Sequence, residues 1–287
     1  MRLLYSAILL LLSMLGYAQE NAVFSHVSSS LVHINPAATA LDSVINLSVV
    51  VRDGVGINPQ RSIMADVYSK LYRGGFGIGA YSVRKDSFEY NHYKLAYSQH
   101  GKWNHRLLYQ LGGGITLVQR QERNLNPVVT PPSLENLFAP ILAFGGMMMY
   151  DGFELGIAHH EYLKPFAENE EKALGTTHFH MGILRPIGEA FVFPYFMLSS
   201  NQQAIKSWQL NLPIQYKWIK AGVAFESAGM AFMLGMQKGR LALSFYRYDH
   251  KFSNNVASGI IQNEVHMSFS ISSSKAIVKE LRRNALF

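Results

Sequence analysis

The sequence predicts an all-β fold: a transmembrane outer-membrane β-barrel of about fourteen antiparallel strands with periplasmic termini. Three observations carry this reading. Apolar and polar residues alternate with period two through nearly the whole chain beyond residue 18, as strands with one apolar and one polar surrounding demand. The connections between these segments are short on one side and long on the other. The N-terminal residues have the order of an export signal.

Composition agrees. Hydrophobic residues make up 48% and aromatics 12%, but charged residues only 16%, against the ~25% usual in soluble domains. That is too apolar for disorder and sparse in charge for a surface bathed in water. The chain has no cysteine, which excludes a disulfide scaffold, a thiolate zinc site, an iron–sulfur cluster and a cysteine nucleophile. The formal charge is +7, with Lys and Arg scattered among Asp and Glu rather than stacked in a stripe. Nucleic acid is therefore not an expected partner.

At the N-terminus Arg2 precedes an apolar run over 7–12 and a small-residue site at Gly16-Tyr17-Ala18. This order is that of a secretory signal peptide cut before Gln19. No cysteine follows the cut, so no lipid anchor is expected. From Gln19 onward no apolar run approaches the ~18 residues of a membrane-spanning helix, so any crossing must be made by strands. The expected organisation is a signal peptide over 1–18, an N-terminal periplasmic or plug segment over 19–44, a barrel over 45–272 and a basic periplasmic tail over 273–287.

In chain order the strands are expected at 45–52, 63–70, 75–84, 90–99, 106–119, 141–150, 153–161, 177–184, 191–198, 207–217, 219–226, 232–238, 241–248 and 264–271. In 207–217, Trp208, Leu210, Leu212, Ile214 and Tyr216 take one face, while Gln209, Asn211, Gln215 and Lys217 take the other. In 219–226 Ile219, Ala221, Val223 and Phe225 oppose Lys220 and Glu226, and in 264–271 Val265, Met267 and Phe269 oppose Glu264, His266 and Ser268. Pro194 and Pro213 fall inside expected strands, where each deletes a ladder donor, and are read as bulges or rim positions. The turns at 71–74, 100–105, 151–152, 186–188, 217–218 and 239–240 are short, whereas 120–140, 162–176 and 249–263 are long. Short turns in the periplasm and long loops outside is the outer-membrane pattern. In this register Asp66, Lys94, Arg106, Glu154, Lys220 and Glu226 point inward, as do Gly75, Gly77, Gly79, Gly112 and Gly114, whose missing side chains leave room for a plug, for the N-terminal segment or for tight curvature.

Specific residues then resemble the PorP/SprF family of outer-membrane proteins of type IX secretion and gliding systems. They are Phe24-Ser25-His26 and Asn35-Pro36-Ala37, then Gly75-Phe76-Gly77-Ile78-Gly79 and Val118-Gln119-Arg120, then Leu155-Gly156-Ile157 with His160 and Pro165. The series ends on Tyr246-Arg247-Tyr248-Asp249, Ser258-Gly259 and Glu264. Gln262-Asn263-Glu264 keeps only the acidic residue of the family's usual entry to the last strand, and the chain continues past Ile271 to Phe287. The resemblance implies a non-enzymatic barrel without cofactor, residing in the outer membrane with its lipid. Its implied partners are type IX secretion components and the C-terminal domains of cargo adhesins. The rival from another class is a diffusion channel or small-solute transporter.

Other constellations are weaker. His178 and His180 share a strand face, but a metal needs a third ligand that the sequence does not name. Glu264, His266 and Ser268 share a face and suggest a hydrolase, yet an enzyme acting on lipid would present them to the bilayer, and that face belongs to Val265, Met267 and Phe269. In the segment 120–140, rich in proline, Leu134, Leu137 and Phe138 are apolar residues outside any expected strand and form either a candidate partner-binding loop or a lid folded into the barrel. The basic tail repeats Ile277, Leu281 and Ala285 every four residues, as a short amphipathic helix would. Single cysteines at Asn136, Asn169 or Asn255 should label with an impermeant maleimide on whole cells, and cysteines at Gly152 or Gly239 should not. Labelling of the short turns on intact cells would reverse the orientation.

Overall fold

The structure, a computed structural model, describes residues 27–40, 45–54, 60–69, 73–85, 88–103, 106–122, 137–163, 175–201, 205–227, 229–238, 240–249 and 261–271. The strand segments are β1 (Ile45–Gly54), β2 (Gln60–Ser69), β3 (Gly74–Lys85), β4 (Phe88–Lys102), β5 (Leu107–Glu122), β6 (Leu137–Tyr150), β7 (Phe153–Tyr162) and β8 (Thr176–Ile183). They continue as β9 (Arg185–Ile187), β10 (Ala190–Val192), β11 (Tyr195–Asn201), β12 (Ile205–Tyr216), β13 (Ile219–Glu226), β14 (Gly229–Lys238), β15 (Leu241–Asp249) and β16 (Ile261–Ile271). β8 and β9 are one strand interrupted at Leu184, and β10 and β11 one strand interrupted at Phe193-Pro194. The wall therefore has fourteen strands, each expected from the alternation.

All pairings are antiparallel, and the sheet closes on itself. β1 runs beside β16 from Ile45↔Ile271 to Gly54↔Gln262, and β11 pairs β12. Among the described residues no helix is long and apolar enough to cross a membrane. In hydrocarbon every backbone donor and acceptor must be paired within the protein, which a closed ring achieves.

Three expectations are corrected. Leu137 and Phe138 open β6, paired with Arg120 and Gln119, because the ladder continues past the point where alternation fades. They are strand rather than loop residues, and Leu134 lies outside the described residues. Of the two readings of Pro194 and Pro213 the bulge fails, since the register runs unshifted past both, while Pro194 does lie near the short-turn rim, level with Ile183 and Phe153. Pro194 sits in the break between β10 and β11, where its carbonyl still accepts from Ile183, and Pro213 accepts from Phe193 across the same line. The register shift falls instead at Ser199/Ser200. Arg106, expected inward, stands just before β5 with its side chain 69% exposed, 3.6 Å from Asp151.

The two faces have opposite character. Leu111, Leu234 and Ile78, outward, are more than 60% exposed; Lys94, Glu154 and Glu264, inward, are at most 3% exposed. At the short-turn rim Trp103, Tyr109, Tyr150, Tyr216 and Trp218 are exposed, forming the aromatic girdle of a membrane interface. Among the described residues this rim also exposes Arg73, Lys102, Arg106, Arg185, Lys217, Lys238 and Arg240, against the acidic Asp151 and Glu189. The long-loop rim mixes Arg61, Arg84 and Arg120 with Glu89, Glu161 and Glu226. The signal peptide, the basic tail and residues 123–136, 164–174 and 250–260 of the long loops lie outside the described residues.

Leu234→Arg or Leu212→Arg, each placing a cation in the lipid-facing band, should cost ~2 to 4 kcal/mol of barrel stability in denaturant titrations. Gln237→Arg, exposed beside the short-turn rim on the other face, should cost far less.

Candidate functional site

The candidate site is the barrel interior, which holds part of the chain itself. Helix α1 (Val27–Ile34) and a 3-10 turn, Pro36–Ala38, lie inside the wall. Leu31, Val32 and Ile34 of the helix, with Ala37 and Ala38, pack against Met64, Leu108, Met147, Met149, Tyr195 and Met197 from the inward face of the strands. Methionine suits such a contact, since its flexible thioether fills an irregular gap between a helix and a concave sheet.

Asn35 joins the two pieces. Its backbone is extended, its Oδ1 accepts from the Ala37 amide at 2.9 Å, and Pro36 follows at the first turn position. An Asx cap with proline next satisfies an orphan donor where the proline has none to lose. Asn35 Nδ2 then reaches the wall, donating toward Gly146 O at 3.3 Å, Ile157 O at 3.4 Å and His180 Nε2 at 3.0 Å. One amide thus ties the segment to β6, β7 and β8. Because Nδ2 can only donate, His180 Nε2 accepts, which leaves Nδ1 facing Glu154 Oε1 at 3.7 Å.

Further anchors come from the wall. Lys94 Nζ donates to Val32 O at 2.6 Å and His33 O at 2.8 Å, carbonyls at the C-terminal end of α1, where the helix dipole favours a cation. Ser62 Oγ and His33 Nε2 are 2.7 Å apart, and His160 Nε2 donates to Ile34 O. Ser98 Oγ donates to Thr39 O at 2.8 Å, and His100 Nε2 lies 3.2 Å from the same carbonyl. Glycines make the space. A Cβ at Gly75 would strike the Thr39 carbonyl, at Gly112 the Pro36-Ala37 backbone, and at Gly145 the Asn35 side chain.

A second polar cluster lines the wall from β12 round to β1. Arg52 Nε and Nη2 stand 2.8 and 2.7 Å from Glu264 Oε2, with the guanidinium 5.2 Å from the centre of the Tyr248 ring. Gln209 Nε2 bridges Asn211 Oδ1 at 3.3 Å and Glu226 Oε1 at 3.0 Å. Removing either partner of a buried ion pair typically costs ~3 to 5 kcal/mol, since the other charge is left uncompensated.

The residues singled out in the sequence thus divide. Asn35, Pro36 and Ala37 form the core of the inserted segment, while Tyr248 and Glu264 meet at the Arg52 cluster on the far wall. Asp249 contributes backbone pairing with Met230 and Ile261, and Phe24 lies outside the described residues. His178 and His180 point inward, but His178 Nδ1 lies 2.7 Å from Ser199 Oγ and His180 holds Asn35. Among the described residues no group of three His, Cys, Asp or Glu could hold a metal. Glu264, His266 and Ser268 do face the lumen, and Glu264 is engaged by Arg52. Gly145, Arg52 and the anchoring role of Lys94 were not read from the sequence, although inward parity had placed Lys94 correctly.

A family model described as type IX secretion system membrane protein PorP/SprF matches residues 16–269. The search of curated proteins finds no match. Among solved structures, the CymD monoaromatic hydrocarbon channel aligns with a TM-score of 0.51 at 10% identity, covering 88% of this chain and 95% of that one. The Ralstonia pickettii toluene transporter TbuX gives 0.48 at 10% identity, covering 90% and 99%. A Pseudomonas aeruginosa FadL homologue gives 0.45 at 12% identity, covering 87% and 95%. At such identities the likeness to CymD concerns the barrel fold alone.

Gly112→Leu should expel the inserted segment while the wall stays closed. The expected result is unchanged heat-modifiable migration on gels with new protease sensitivity near residues 27–40. Gly113→Leu, on the lipid face with nothing nearer than 3.9 Å to its Cβ position, should leave both readouts as in wild type. Identical behaviour of the two variants would contradict this docking.

Proposed function

Because the chain belongs to the PorP/SprF family of type IX secretion system membrane proteins, we propose that it acts as a non-enzymatic outer-membrane partner of that machinery. In this role it helps export cargo adhesins or holds them at the cell surface. The observation that carries the reading is the family match across nearly the whole chain. The filled interior supports it: a barrel that lodges residues 27–40 in its own lumen is built to present surfaces rather than to pass solutes freely. The proposed orientation puts both termini and the short turns in the periplasm and the long loops outside.

The proposed docking element is the connection 123–136 with Leu134, continued by Leu137 and Phe138 at the head of β6. Proline-rich stiffness there lowers the entropy lost on binding a cargo C-terminal domain. A second reading, a diffusion channel or small-solute transporter, is favoured by the polar wall around Arg52, Gln209 and Glu264. Deleting 127–133 leaves every described strand intact, so the barrel should assemble normally while surface adhesin falls. Wild-type display by a normally assembled deletion would remove this segment as the docking element. Steady conductance of the wild-type barrel in planar bilayers would favour the channel.

A further inference from the structure

The short-turn rim carries a strongly one-signed charge. Seven exposed basic residues stand there against Asp151 and Glu189, whereas the opposite rim mixes both signs. Their placement is as informative as their number. They stand in or beside five of the six short turns, those joining β2–β3, β4–β5, β9–β10, β12–β13 and β14–β15; the β6–β7 turn carries no cation of its own, but Arg185 of β9 donates to its Asp151 carbonyl and Arg106 stands 3.6 Å from the Asp151 carboxylate. Exposed Trp103, Tyr109, Tyr150, Tyr216 and Trp218 sit among them, and such rings settle at headgroup depth.

We propose that this rim is a collar that binds anionic phospholipid headgroups around the circumference of the barrel. A protein partner needs a single patch, typically about 800 Å² on one side. Cations spread round a ring of turns instead match an annulus of lipids. Arginine adds chemistry to position, because its planar guanidinium pairs with a phosphate through two parallel hydrogen bonds. On the short-turn rim Arg106 stands 3.6 Å from Asp151 and Lys217 3.9 Å from Glu189, which still leaves cations in excess, whereas the long-loop rim, where Arg84 stands 3.8 Å from Glu89, mixes both signs.

The test uses the full barrel in bilayers, in a Trp208→Phe background so that Trp103 and Trp218, the remaining tryptophans, report on the rim. Quenching by brominated phosphatidylglycerol is compared with quenching by brominated phosphatidylcholine. The expected preference for the anionic lipid is roughly fivefold. It should fall to near unity in high salt and in Arg73→Gln/Lys238→Gln/Arg240→Gln. Arg61→Gln/Arg84→Gln on the other rim should retain it. Equal quenching by both lipids in the parent overturns the collar, as does a preference that survives both salt and the triple substitution. Salt-sensitive capture of an acidic protein without any lipid preference also overturns it and assigns the rim to a protein partner. The salt series needs no variant, so a triple substitution that fails to assemble does not leave the question open.

Discussion

Hydrocarbon offers the backbone no hydrogen-bonding partner, and the rest of this structure follows from that. A sheet in such a solvent must close, so β1 finds β16. Closure gives every strand one face toward lipid and one toward an enclosed interior, which imposes the alternation. The interior then creates its own demand, because Lys94, Glu154, Arg52 and Glu264 are buried there and buried charges need partners. Lys94 finds the carbonyl end of α1, and Arg52 finds Glu264. The inserted segment satisfies the wall as much as the wall confines the segment.

Membership of the PorP/SprF family places this barrel with type IX secretion, and the geometry gives the residues of the resemblance physical work. Asn35 is a cap and a three-strand tether, Pro36 starts a tight turn, and Gly75 and Gly112 are the recesses into which that turn settles. Glu264 is kept by an arginine 212 positions away. A substitution at these sites acts on packing and charge balance inside the barrel.

The wall was legible because its code is local. Period-two alternation states both the strand and its buried face. Legibility failed where hydrogen bonding outran hydrophobicity, as at Leu137 and Phe138, whose ladder partners lie across the sheet. The prolines misled because a single missing donor in a ladder bounded by intact neighbours interrupts a strand without shifting its register. The interior segment was foreshadowed only by glycines on one face. Eight helical residues give too few turns for periodicity to speak, and the contacts of Asn35 span 111 to 145 positions, beyond any local pattern.

The seam between β1 and β16 has a kinetic meaning. Once β8–β9 and β10–β11 are each counted as one strand, every other pair of neighbours in the wall is consecutive along the chain, so each can form as a local hairpin. The seam alone joins the two ends of the barrel sequence, and it carries the largest loop-closure entropy. Residues 27–40 lie just before β1 and bind β2 through β8 and β11 without touching the seam strands through any of the anchors described. They can therefore seat on a half-finished, curved sheet and hold it bent, so that the last strand meets the first already facing it. A segment seated in this way would act on the curvature of the sheet before it acts on a lumen.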